Sequence, residues 1–114
     1  MSSAIRLQAE PVRSLAFGVI GPVYSSIGTP TVNPIRLLSL INTTDTALML
    51  SLDGVNDHLP MVPNGYLVID IAANKTLPSG GFYLAEGQQF YVKTLGAAPG
   101  VGSFYIAVFY GADV

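Results

Sequence analysis

The stretch Phe104-Tyr105-Ile106-Ala107-Val108-Phe109-Tyr110 decides how this chain folds. Side chains alternate across a β-strand, so Phe104, Ile106, Val108 and Tyr110 fall on one side and Tyr105, Ala107 and Phe109 on the other. Both sides are apolar. A chain of 114 residues buries roughly 60–70% of its unfolded surface, enough to absorb one inward face of each strand and little more. One face of this strand is therefore expected to meet something other than its own core.

The duplication recurs upstream. Phe82-Tyr83 and Phe90-Tyr91 join Phe104-Tyr105 and Phe109-Tyr110, and each pair sends one ring to each side of its sheet. Tyrosine suits an interface because its ring supplies contact area while its hydroxyl tolerates partial wetting.

Working outward from these strands, alternation is the recurrent signal. Ile5, Leu7 and Ala9 share one face, with Arg6, Gln8 and Glu10 on the other, until Pro11 ends the run. Val12 to Ile20 is a second strand, interrupted at Gly18. Residues 21–34 carry three prolines and two glycines and are expected as an irregular surface loop, the longest in the chain. Ile35–Asn42 and Ala47–Asp53 flank Thr43-Thr44-Asp45-Thr46, the pattern of a hairpin. Turn formers follow at Asp53-Gly54, Asn56-Asp57, Pro60, Pro63, Asn64 and Gly65. Tyr66–Ile71 is a compact strand, 72–81 holds at most a helical turn, and Phe82–Ala85, Gln88–Leu95 and Ser103–Tyr110 close the chain. About eight short strands with turns every ten residues or so, and no 3.6-residue pattern of useful length, predict one all-β domain over 1–114, a two-sheet sandwich or a small barrel.

Charge narrows the function. Five basic and seven acidic side chains make up 11% of the chain, against about 25% in an ordinary soluble domain, so part of the surface is expected to be shielded by neighbouring molecules. Arg6, Arg13, Arg36, Lys75 and Lys93 are scattered, which argues against nucleic-acid binding because phosphate neutralisation needs clustered cations. Cysteine is absent, so disulfides and thiolate metal sites are excluded. The N-terminal residues Met1 to Gln8 carry Arg6 and Gln8 where a signal peptide keeps its apolar stretch, and the chain is expected to be made in the cytosol without a leader. The longest uncharged apolar run, 15–23, falls far below the ~20 residues of a membrane-spanning helix, and a spanning barrel would want longer strands.

No catalytic pattern emerges. His58 follows Asp57, as an oriented base would, but no Gly-x-Ser-x-Gly elbow supplies a nucleophile. The oxygen-rich run 53–58 departs from the order of an EF-hand loop and is read as a turn. Gly96–Gly102 precedes a strand rather than a helix and lacks Gly-Lys-Ser/Thr, so it is read as a connection and not a phosphate cradle. Asn42-Thr43-Thr44 and Asn74-Lys75-Thr76 match the glycosylation pattern but are read as turn residues. The carboxylates Asp45, Asp53, Asp57, Asp70, Glu86 and Asp113 sit in or beside turns, and no pair stands out for acid–base work. No catalytic residue, cofactor or metal is expected.

From Leu37 to Tyr110, Ser-Leu-Asp-Gly-Val-Asn-Asp-His (51–58), Asp-Ile-Ala-Ala-Asn-Lys (70–75), Gln-Phe-Tyr-Val-Lys (89–93) and Phe-Tyr-Ile-Ala-Val-Phe-Tyr-Gly (104–111) follow one another. In this order they resemble the small β-sandwich virion proteins of tailed bacteriophages, above all the capsid decoration, cement or staple proteins. The resemblance covers about two-thirds of the chain. It implies a jelly-roll-like antiparallel sandwich with no enzymatic activity. It also implies a dimer or trimer bound to the major capsid protein or another virion protein on the capsid surface, after synthesis in the host cytoplasm.

A head–tail collar or tail accessory protein would share these patterns. A carbohydrate- or receptor-binding sandwich would use Tyr66, Tyr83 and Tyr91 as platforms, although tryptophan is absent. The expected interface residues are Tyr83, Tyr91, Tyr105 and Phe109 on the aromatic strands, with Tyr24 and Ile27 in the 21–34 loop. That loop and the N-terminal strand are the segments expected to reach a neighbouring subunit.

Overall fold

The structure is a computed structural model that describes residues 5–70 and 86–113. The strands are β1 (Ile5–Ala9), β2 (Arg13–Ala16), β3 (Ser25–Ile27), β4 (Leu37–Asn42), β5 (Leu48–Ser51), β6 (Leu59–Met61), β7 (Gly65–Asp70), β8 (Phe90–Thr94) and β9 (Ser103–Asp113), with one 3-10 turn at Phe17–Val19. Sheet one runs β1-β9-β4-β7, with β2 also on β9; sheet two runs β3-β8-β5-β6. All pairings are antiparallel. The expected strand at Phe82–Ala85 lies outside the described residues.

Taking β1 and β2 as one interrupted strand, first pairs with last (β1/β2 with β9), second with second-last (β3 with β8), then β4 with β7 and β5 with β6. This nesting is a single long antiparallel ribbon rolled on itself, the jelly roll. The two sheets face each other across Ile27, Ile35, Leu38, Leu40, Leu48, Leu50, Phe90, Val92, Phe104, Ile106 and Val108, all essentially inaccessible to solvent.

The Thr43–Thr46 link is not a hairpin. β4 belongs to sheet one and β5 to sheet two, so the chain crosses the sandwich here. Asn42 is the reason. It follows Leu38 and Leu40 on the inner side of β4, is fully buried, and its amide replaces a backbone ladder. Nδ2 donates to the carbonyls of Thr46 (3.1 Å) and Val62 (3.0 Å), while Oδ1 accepts from the Thr44 N–H (2.9 Å) and hydroxyl (2.6 Å). The start of β9 docks on this corner through Thr43 N–H to the Ser103 carbonyl (2.9 Å). Gly102, at φ +92°, lies so close to the Thr43 carbonyl that a Cβ would overlap it. The glycine-rich connection therefore ends at a position where only glycine fits.

The edge strand carries a bulge. Ala9 pairs with Phe109 and Arg13 with Ile106, so β1/β2 places three residues (10–12) opposite two in β9. The extra residue reverses which side each later side chain takes, and Pro11 sits where no ladder N–H is required. Leu7, opposite Gly111, faces outward and is exposed, whereas Gln8, Glu10 and Arg13 turn toward the interior. The polar side of the predicted alternation is thus the inward one.

Most of the buried polarity at the bulge is matched, and among its described atoms Arg13 Nη1 is buried without a hydrogen-bond partner. Arg13 Nη2 donates to Glu10 Oε1 at 2.7 Å, and Arg13 Nε donates to the Thr29 carbonyl at 2.8 Å. Glu10 Oε2 accepts from the N–H groups of Val32 (3.0 Å) and Asn33 (2.9 Å) and from Asn33 Nδ2 (3.0 Å). The proline-rich segment expected as an irregular surface loop is therefore strapped to the sheet edge, and it contains strand β3.

Desolvation pushes the Glu10 carboxyl up, but the hydrogen bonds from Arg13, Asn33 and Val32 together outweigh it and hold it below the usual carboxylate range. A carboxyl that titrates lower folded than unfolded stabilises the fold above its ordinary value, and that stability is lost as pH falls through the folded value. Glu10→Gln leaves Arg13 buried without its counter-charge and is expected to cost about 3 kcal/mol, or roughly 10 °C in Tm. Urea titrations between pH 3 and 7 are expected to show a weaker loss of stability toward acid in Glu10→Gln than in the parent.

Candidate functional site

Strand register places Leu7, Ala9, Ser14, Leu37, Ser39, Ile41, Tyr66, Val68, Asp70, Tyr105, Ala107 and Phe109 on the outer face of sheet one. They line up in rows across the strands. Phe109 sits between Ala9 and Leu37, and Ala107 beside Ser39 and Val68. Tyr105 sits between Ser14 and Ile41, with Tyr66 beyond. Tyr66 is 78% exposed, Val68 59%, Leu7 51% and Ile41 39%, which is the exposure of an uncovered surface rather than a core. Asp70 is the one carboxylate in these rows, at the corner, 3.8 Å from Arg36. Tyr105 and Phe109 therefore stand half-buried by their neighbours on an open, nearly uncharged face.

The outer face of sheet two is different because the chain covers it. Tyr91 lies between Ser26 and Ser51 on that face, and the turn after β5 folds over it so that a side chain at Gly54, at φ +78°, would meet the Tyr91 ring at 3.2 Å. Asp53 builds the turn. Its Oδ1 accepts from the N–H groups of Val55 and Asn56, both at 2.8 Å, and from Ser51 Oγ at 2.9 Å; Oδ2 accepts from Asn56 Nδ2 at 2.8 Å. The Asn56 and Val55 N–H groups, ahead of the side-chain bonds, hold the Asp53 carboxyl far below the usual range. Both oxygens accept from the chain's own donors, as a turn-building aspartate does.

Tyr24 caps the same face. Its hydroxyl donates to Asp57 Oδ1, and Lys93 Nζ lies 3.2 Å from that oxygen and 4.7 Å from the Tyr24 ring centre. Desolvation first and the Asp57 carboxylate second push the Tyr24 phenol up to about 12. The Tyr24 hydroxyl and Lys93 hold Asp57 below its ordinary value. His58 is a structural acceptor, with Nδ1 receiving the Leu52 N–H at 2.9 Å. Among the described residues no group of three or more His, Cys, Asp or Glu converges.

The expected interface residues thus separate. Tyr105 and Phe109 lie on the open face; Tyr91 and Tyr24 are engaged within the chain over sheet two; Tyr83 lies outside the described residues. Ile27 is a correction. It was expected in an exposed loop, but it belongs to β3, pairs with Phe90 and is fully buried in the core, because the short edge strand β3 runs through the proline-rich segment. Tyr66, Ile41, Val68 and Leu7 were not singled out as interface residues, although the alternation of Tyr66–Ile71 already put Tyr66 and Val68 on one side. A cleft of about 640 Å³ lies beside the bulge, lined by Glu10, Arg13, Thr29, Asn33 and Tyr110 among others; its charges are already paired with each other.

Gly54→Ala forces an L-residue into the left-handed region against the Tyr91 ring. It is expected to cost about 1–2 kcal/mol, read as a shift in urea midpoint with an unchanged slope. Comparison of the chain with known protein families, with curated proteins and with solved structures returns no match.

Proposed function

We propose that this protein is a non-enzymatic structural protein of a virion. On this reading it is a capsid decoration or cement protein that oligomerises through its apolar, aromatic-bearing strand face and binds neighbouring capsid subunits. The observation that carries the reading is the outer face of sheet one: rows of Leu, Ile, Val, Tyr and Phe with Asp70 at one corner, exposed among the described residues, whereas the turn after β5 covers the equivalent face of sheet two. Exposed apolar patches of this kind mark interaction surfaces. With strands ~4.8 Å apart and ~3.3 Å per residue, the face spans on the order of 600 Å², close to the ~800 Å² each partner contributes to a standard interface.

The resemblance over Leu37–Tyr110 supplies the virion context. A collar or tail accessory protein would use the same surface. Among the described residues the carbohydrate- or receptor-binding alternative keeps the exposed ring of Tyr66, since Tyr91 is occupied by the turn at Gly54; Tyr83 lies outside them.

Ile41 lies on a central strand, outside the core, so Ile41→Lys adds a charge to the face with little effect on the fold. The parent is expected to sediment as an oligomer and to decorate empty phage shells in a pull-down. Ile41→Lys is expected to retain its urea midpoint within about 1 kcal/mol while sedimenting as a smaller species than the parent assembly and losing shell binding. A parent that stays monomeric at all concentrations and ignores shells would overturn the reading.

A further inference from the structure

A sheet edge exposes unpaired N–H and C=O groups, and natural sheets protect them with short strands, proline, bulges, inward charges or a covering loop. Three of the four edges here carry such devices. The β1/β2 edge has the bulge at Pro11, the inward Arg13 and the strapped loop that supplies the Thr29 carbonyl. In sheet two, β3 and β6 have three residues each, and β6 contains Pro60. The edge formed by β7 shows none among the described residues. It is six residues long, Gly65–Asp70, and pairs without interruption with β4 from Asn42↔Gly65 to Leu37↔Asp70. Within it there is no proline, lysine or arginine, and among the described residues no strand lies on its other side.

We infer that the free edge of β7 pairs antiparallel with β7 of a second copy about a two-fold axis at Leu67, joining sheet one of both molecules into one continuous sheet. The inference rests on the assembly reading above and names the partner at one border of that surface. Opposed residues in an antiparallel pair share a face, so a two-fold register must relate residues of the same side. An axis at Leu67 sets Leu67 against Leu67 on the inner side and Tyr66 against Val68 on the outer, an aromatic against a β-branched residue, which is a favourable cross-strand pair. The paired stretch then runs from Gly65 to Ile69 with Asp70 beyond it, so no like charges oppose each other. An axis at Val68 would instead set Tyr66 against Asp70.

The second copy is the occupant that this self-complementarity selects. Pairing also makes the two open faces coplanar, giving roughly 1,200 Å² of apolar surface, within the range of a stable interface. One copy offers only half of that. Edge pairing over about 20 Å of strand buries less than a standard interface by itself, so the free dimer forms in a concentration-dependent manner and is consolidated by what its joined faces contact.

The chain has no cysteine, which makes single-cysteine variants clean probes. Under mild oxidation at a concentration where the parent sediments as a dimer, Leu67→Cys is expected to cross-link to a covalent dimer at least tenfold faster than Val55→Cys, an exposed turn position serving as the collision control. Ile41→Cys, central on the face, is expected to match the control. Circular dichroism confirms that Leu67→Cys keeps its strand content; should it unfold, Val68→Cys paired with Tyr66→Cys in a mixed sample reads the same register. A parent oligomer that Ile41→Lys dissociates, with Leu67→Cys no faster than Val55→Cys, overturns the edge pairing and leaves the assembly reading standing. A parent monomeric throughout overturns both.

Discussion

Two sheets present four faces, and a sandwich of this size has one interior. Every strand that is apolar on both sides therefore leaves one side to be covered by something else. β9 is that strand: Phe104, Ile106 and Val108 fill the interior, and Tyr105, Ala107 and Phe109 emerge on the other side of the same backbone. The rest of the molecule follows from how each outer face resolves this surplus. Sheet two is resolved internally, by a turn built on the Asp53 carboxylate that lays Gly54 on Tyr91 and brings Tyr24, Asp57 and Lys93 together beside it. Sheet one keeps its surplus, and the assembly reading rests on that difference.

The bulge at Glu10–Val12 is what keeps sheet one asymmetric. One extra residue flips the side of every position after it, so β1 presents Leu7 outward while β2 presents Arg13 and Leu15 inward. An inward arginine at a sheet edge would ordinarily be costly. Here Glu10 neutralises it and receives three N–H donors from the Val32–Asn33 backbone and the Asn33 amide, so one carboxylate ties the bulge to a segment more than twenty positions away. The same arrangement shields the β1/β2 edge, whereas among the described residues no strand lies beyond β7.

Much of the fold is legible in local patterns. The alternation at 5–10, 35–42, 66–71, 88–95 and 103–110 marks strands that are present at or near those bounds, and the turn at 53–58 is where Asp and Gly put it. The short strands β3 and β6 are not legible, because three residues amid prolines and glycines carry no periodic signal and become strands only through pairing with β8 and β5. The same blindness misplaces Ile27: its burial comes from Phe90, sixty-odd residues away. The link after Asn42 reads as a hairpin since two apolar runs flank a polar tetrad, and nothing local says that Asn42 will be buried and will spend its amide on Thr44, Thr46 and Val62.

By itself, then, the amino-acid order determined that the chain is all-β, that its strands carry too much apolar surface and too little charge for one interior, and that Tyr105, Ala107 and Phe109 stand on one side of the last strand. These are period-two properties, settled residue by residue along the backbone. Which of those sides looks into the sandwich, which outer face the chain covers for itself, and which edge it leaves bare were decided only in the tertiary structure. Register between distant strands, a single inserted residue opposite β9, and buried partners for Glu10 and Asn42 act across tens of residues, where no local periodicity reaches.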